Sequence, residues 1–184
     1  MSFLKNIFDL KRANIGIKSM VLFFLLVSMK PIPEEGNEYS IKAMFIYNFT
    51  KYIDWSQSSA AKTFRIGVVG KSELFEALES IASQKKIDNK SIEVKKLSDD
   101  DNSVYQVIFV AKSEIQRIEE LSKKYSGKGV LIISEECRHS ERCATINLIT
   151  TNNKVKFEIN QASARIAGLK ISSVLTNLAE SVNP

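Results

Sequence analysis

The sequence predicts a single α/β domain: a mixed, mostly parallel sheet with helices on both faces, closed by a C-terminal β-hairpin and a helix. Two observations carry this. Between Phe64 and Ile133 short apolar runs alternate with stretches of helical period, the pattern of βαβ units. From Thr145 to Ile159 the period falls to two on either side of Asn152-Asn153, and after Asn160 it becomes helical again. At 184 residues and 44% hydrophobic composition, the chain can build one proper core but not two comfortable ones.

The first 30 residues read as a targeting segment rather than as part of that fold. Lys5, Lys11, Arg12 and Lys18 precede a run of ten mostly apolar residues, Met20 to Met29, which is the order of a secretory signal. A membrane span needs about 20 apolar residues, and Lys18 and Lys30 bracket this run too tightly for one. Removing this segment takes away most of the formal charge of +5 and leaves about +2. The remaining basic pairs, such as Lys85-Lys86 and Lys123-Lys124, are dispersed and have no aromatic platform beside them, so no nucleic-acid partner is expected. Residues 31–37, with two Pro and one Gly, read as a linker, and residues 38–182 as the domain.

The domain opens with a helical pattern in which Ile41, Met44, Phe45, Phe49, Tyr52 and Ile53 recur at spacings of three and four and are expected to share a buried face. Trp55 follows directly. Phe64 to Val69 reads as a strand ending at Gly70, and Ser72 to Ala82 as a helix with Leu74, Phe75, Leu78 and Ile81 inward. Gly70-Lys71-Ser72 imitates the end of a phosphate-binding loop, but that motif needs a Gly where this chain has Arg65, and nucleotide hydrolysis is not expected. Ile92 to Leu97 and Val104 to Val110 read as strands, and the acidic run Ser98 to Ser103 between them as a solvated turn. Ile115, Ile118 and Leu121 mark a further helix before the strand Val130 to Ile133. In the hairpin, Val155, Phe157 and Ile159 face the core, which leaves Lys154, Lys156 and Glu158 on the outer face. Asn160 is placed to cap one long helix whose stripe is Ile171, Val174, Leu175, Leu178 and Val182, interrupted by Gly168.

The run Lys154 to Asn160, with Ala164 to Leu175 and Leu178-Ala179 after it, resembles the closing segment of the YfiR/HmsC-like family. Ile41 to Phe49 with Trp55 resembles the family's opening motif, although members commonly have Pro after that Trp and this chain has Ser56. The resemblance implies a periplasmic regulator, not an enzyme, that needs no cofactor. It would bind the periplasmic sensory region of an inner-membrane signalling enzyme, of the diguanylate cyclase or sensor kinase type, and restrain it. Such a role belongs to cyclic di-GMP signalling and biofilm control. A second copy of the chain is a further candidate partner. The resemblance, together with the outward face of the hairpin, singles out Glu158 and Asn160 as a partner surface, with Tyr47 and Trp55 as the next. A different class of function is a periplasmic binding module for a small ligand, with its crevice at the carboxyl ends of the strands near Gly70 and Val110.

Cys137 and Cys143, the only cysteines, bracket the only histidine, His139. Three readings compete. A structural zinc site lacks a fourth strong ligand beyond Glu135, Glu136 or Glu141, and a Cys-His nucleophile lacks a third group to orient it. A disulfide suits an exported chain with an even cysteine count and five residues between the pair, and would stabilise by about 2 kcal/mol. Some relatives in the family resemble this chain in carrying a cysteine pair in the corresponding loop. Intact-mass analysis of periplasmic material is expected to find a chain cut between Ser28 and Tyr39, with no thiol open to labelling. The full 20.7 kDa chain in the membrane fraction, or two labelled thiols, would be the contrary result.

Overall fold

Alternating burial along the strands explains the architecture better than any single element does. In the computed structural model, which describes residues 34–55, 61–138 and 144–184, Val107 and Phe109 enter one core while their neighbours Ile108 and Val110 enter another. A strand buried on both faces has to be covered on both, and that makes a three-layer α/β sandwich. Residues 35–184 form one compact unit. The expected signal segment, and residues 31–33 of the expected linker, lie outside the described residues.

Helix α1 (Glu34–Phe49) begins inside the stretch expected as linker and runs to a short strand β1 (Ile53–Asp54). Then come β2 (Thr63–Val69), α2 (Leu74–Gln84), β3 (Lys86–Ile87), β4 (Lys90–Lys96) and β5 (Val107–Val110). A 3-10 turn (Lys112–Arg117) leads into α3 (Ile118–Lys124), followed by β6 (Leu131–Glu135), β7 (Ile146–Thr151) and β8 (Lys154–Asn160). The chain ends with α4 (Gln161–Ala167), β9 (Lys170–Ile171), α5 (Ser173–Leu178) and β10 (Ser181–Asn183). The main sheet has the order β10-β8-β7-β6-β5-β2-β4-β3. Strands β4, β2, β5, β6 and β7 are parallel, β8 returns antiparallel to β7, and β3 returns antiparallel to β4. The expected mixed, mostly parallel sheet is therefore present. Helices α1 and α2 pack on one face and α3 on the other.

Both tight turns carry the backbone that such hairpins require. Asn152 and Asn153 have φ of 51° and 58°, and Asp88 and Asn89, between β3 and β4, have φ of 47° and 63°. Positive φ at both central residues matches the right-handed twist of the flanking strands. The acidic turn is more ordered than solvation alone would make it. Asp101 accepts the Tyr105 hydroxyl at 2.5 Å and the Ser103 amide at 2.7 Å, and these bonds hold its pKa down at about 2.

Two expectations are overturned. Helix α1 buries Lys42, Ala43, Ile46 and Phe49, whereas Ile41 and Met44 are 40% and 44% exposed. The helix is apolar over a wider arc than the sheet can cover, and an ion pair described below decides which part faces inward. The long C-terminal helix does not exist. Asn160 caps α4 by accepting the Ser163 amide at 2.9 Å, as expected, but Gly168 ends it in the left-handed conformation, φ 76°. Its amide and that of Leu169 return to Arg165 and Ala164 carbonyls, which closes the last turn. Ile171, expected on the helical stripe, instead pairs with Ile53 across β1 and β9.

In a continuous helix, Gly168→Ala would stabilise by about 1 kcal/mol. At a left-handed cap it is expected to destabilise by about 1–2 kcal/mol, measured by urea unfolding.

Candidate functional site

The carboxyl ends of β2, β5 and β6 open into a cavity of about 620 Å3, walled by Lys71, Ala111, Lys112, Ser113, Glu135 and Glu136. Across from them stand Glu38, Tyr39 and Lys42 of α1, with Thr150 of β7. After β2 the chain adds β4 on one side and then returns to add β5 on the other, so the strand order reverses between β2 and β5. Open α/β sheets bind ligands at that reversal. Gly70 makes the tight exit from β2 with φ 88°, where a Cβ would lie 2.6 Å from Glu114 Cγ. The crevice thus sits where the sequence places one, near Gly70 and Val110.

Its floor is an ion triad. Lys42, only 2% exposed, puts its ammonium 2.7 Å from Glu135 Oε1 and 2.6 Å from Glu38 Oε1. Glu38 also accepts the Thr150 hydroxyl at 2.7 Å. Burial works against the charge on Lys42, but its hydrogen bonds to Glu135 and Glu38 outweigh that and raise its pKa. For Glu38, partial burial pushes upward, yet hydrogen bonds from Lys42 and Thr150 leave its pKa lowered. Stability from Glu38 is therefore present above its unfolded pKa and lost on acidification. Stability from Lys42 is present below its unfolded pKa and lost as pH rises through the higher folded value. Neutral pH keeps both contributions.

A second network centres on Asn147, buried in β7. Its carbonyl oxygen accepts the Ser134 hydroxyl and the Cys137 amide, both at 3.0 Å, and its amide donates to the Cys137 carbonyl at 3.0 Å and to Glu158 Oε2 at 2.9 Å. Every hydrogen-bonding position of this side chain is used, as burial demands. Glu158 is not the free outward carboxylate that alternation suggests: it also accepts the Ser181 hydroxyl at 3.3 Å, and β10 runs beside it. Cys137 is buried and is not a free thiol. Its expected partner Cys143, with His139 and Glu141, lies outside the described residues.

A third feature is an apolar groove of about 470 Å3 between α1, β8 and α5. Phe45, Phe49 and Phe157 form its floor, with ring centroids 4.9 to 5.8 Å apart. Tyr52, Val155, Leu175 and Leu178 wall it, and a Lys156–Glu180 ion pair of 2.8 Å crosses its rim.

The four residues expected on a partner surface are not brought together. Glu158 and Asn160 lie on β8, whereas the Tyr47 hydroxyl donates to the Lys86 carbonyl at 3.4 Å on β3, at the far edge of the sheet. Trp55 donates to the Thr50 carbonyl at 2.8 Å and packs edge-on against Phe64, beside a polar hollow with Lys51, Asp54 and Lys90. Sequence reasoning missed Lys42, because a lysine between apolar residues on a helix reads as solvent-facing. Among the described residues no group of three His, Cys, Asp or Glu is placed to hold a metal ion, and no helix is long and apolar enough to cross a membrane.

Lys42→Met leaves the Glu135 carboxylate buried without its cation, and is expected to lower unfolding free energy by about 3–5 kcal/mol in urea titrations. The double variant Lys42→Met/Glu135→Leu is expected to recover part of that loss, because no buried charge is then stranded.

A comparison with curated proteins finds no match. The model of the YfiR/HmsC-like family matches residues 39–180, from the first turns of α1 to the end of α5 and the Glu180 that follows it. That span takes in Lys42 and Glu135 of the triad, Asn147 with the four groups it bonds, and the groove, while Glu38 lies one residue before it. The chain therefore belongs to the YfiR/HmsC-like family, which is known for periplasmic regulation rather than catalysis.

Proposed function

We propose that this protein is an exported periplasmic regulator that binds the periplasmic sensory region of an inner-membrane signalling enzyme, of the diguanylate cyclase or sensor kinase type, and restrains its output. Family membership supports the regulatory role. The observation that supports a protein partner is the apolar groove. Ile41, Met44, Val174 and Leu178, all at least 40% exposed, leave apolar surface open on α1 and α5, the two helices that wall it. Exposed apolar surface around an aromatic floor is the form of a protein-binding hot spot.

The partner in this reading inserts an apolar side chain over Phe45 and Phe157, and the Lys156–Glu180 pair sets a polar rim. Glu158 contributes indirectly, by holding β8 and β10 in place through Asn147 and Ser181.

Leu178 is 64% exposed, so Leu178→Asp is expected to shift unfolding free energy by no more than about 0.5 kcal/mol while raising the partner enzyme's output in cells. The checks are urea unfolding of the purified variant and second-messenger or kinase output in its host. A folded, exported variant that represses like wild type would place the contact elsewhere, with the Tyr47 and Trp55 surface next to be tested.

A further inference from the structure

The crevice at the strand-order reversal is divided by charge. On the β2 and β5 side stand Lys71 and Lys112, and neither ammonium has a partner among the described residues. On the β6 and β7 side stands Glu136. Sheet order fixes this separation, because β6 and β7 lie on the opposite side of β5 from β2. Lys42 does not reverse it, since its ammonium is taken up by Glu38 and Glu135, and the two carboxylates against one ammonium leave that side of the crevice more negative still.

Glu136 is held in an unusual way. Its φ is 53°, a left-handed conformation that residues other than Gly and Asn rarely adopt. Two bonds keep it there: its amide donates to the Leu148 carbonyl at 2.9 Å, and Oε1 accepts the Thr150 amide at 2.6 Å. The second carboxylate oxygen has no protein partner among the described residues. Backbone strain maintained at the edge of a cavity is a pointer to function.

We propose that this crevice binds a small zwitterion, with a carboxylate or phosphonate-like anion between Lys71 and Lys112 and a protonated amine at Glu136. A simple anion would meet the lysines but also face Glu136; a simple cation would meet the reverse. Only a molecule with both charges matches both ends, and a cavity of about 620 Å3 is within the range of small-ligand sites. The proposal stands apart from the partner reading, since the apolar groove contributes nothing to this crevice.

The test is a titration of the exported protein, followed by backbone amide NMR, with γ-aminobutyrate and 3-aminopropylphosphonate. Butyrate and butylamine serve as single-charge controls. Saturable shifts confined to residues around Lys71, Lys112 and Glu136 are expected for both zwitterions, with either control at least about tenfold weaker, as loss of a charged hydrogen bond implies. Lys71→Ala/Lys112→Ala should lose butyrate binding and bind the zwitterions no more tightly than butylamine. Glu136→Gln should weaken the zwitterions and let butyrate bind at least as tightly as it does to wild type. Butyrate binding as tightly as γ-aminobutyrate, or no saturable shift with either zwitterion, would overturn the proposal. Repression assays on the same variants separate the two readings, because failure here leaves the groove variant's effect intact.

Discussion

The pair between Lys42 and Glu135 fixes more of this structure than any other contact. A buried ammonium strands its charge unless an anion meets it, so α1 can dock only in the rotation that brings Lys42 to the end of β6. That rotation carries Ala43, Ile46 and Phe49 into the core and turns Ile41 and Met44 outward. Burial of the stripe that includes Ile41 and Met44 would turn a different face inward. The same pair closes the floor of the crevice and orients the helix that walls the groove.

Asn147 does for the other end of the sheet what Lys42 does for α1. It joins the end of β6, the start of the cysteine loop and the antiparallel strand β8 through four hydrogen bonds from one buried side chain. Removing one partner from such a network leaves several groups unsatisfied at once, and each costs about 1–3 kcal/mol. Glu158, which the family resemblance marks, is thereby tied to the placement of Cys137.

The groove follows from where the last helix breaks. Gly168 ends α4, β9 pairs with β1, and the chain turns back so that Leu175 and Leu178 stand opposite Phe45 and Phe157. Ser172 restarts the helix by accepting the Val174 amide at 3.2 Å. With an unbroken helix from Gln161, Leu175 and Leu178 would project beyond the sheet. Short elements that are weak alone thus make a surface because β1 and β9 hold them in position.

The sequence by itself determined the sheet. Period-two and continuous apolar runs placed β2, β5, β6, β7 and β8, because a strand's burial pattern is written in its own residues. It also determined the Asn152-Asn153 turn, the Asn160 cap and the location of a crevice near Gly70 and Val110, which follow from local backbone chemistry and strand order. The turn at Asp88-Asn89 carried the same kind of signal and went unread, since β3 is only two residues long. Only the tertiary structure decided the rest. Whether Gly168 packs inside a helix or caps one depends on β1 waiting to receive Ile171, a contact more than a hundred positions away in the chain. Which face of α1 is buried depends on Glu135, and which carboxylate is free depends on Asn147. Asn147 and Glu158 face each other across the hairpin, so that contact follows from its register. By contrast, Ile53–Ile171 and Lys42–Glu135 join distant residues, and neither partner's local sequence shows that the other will be there.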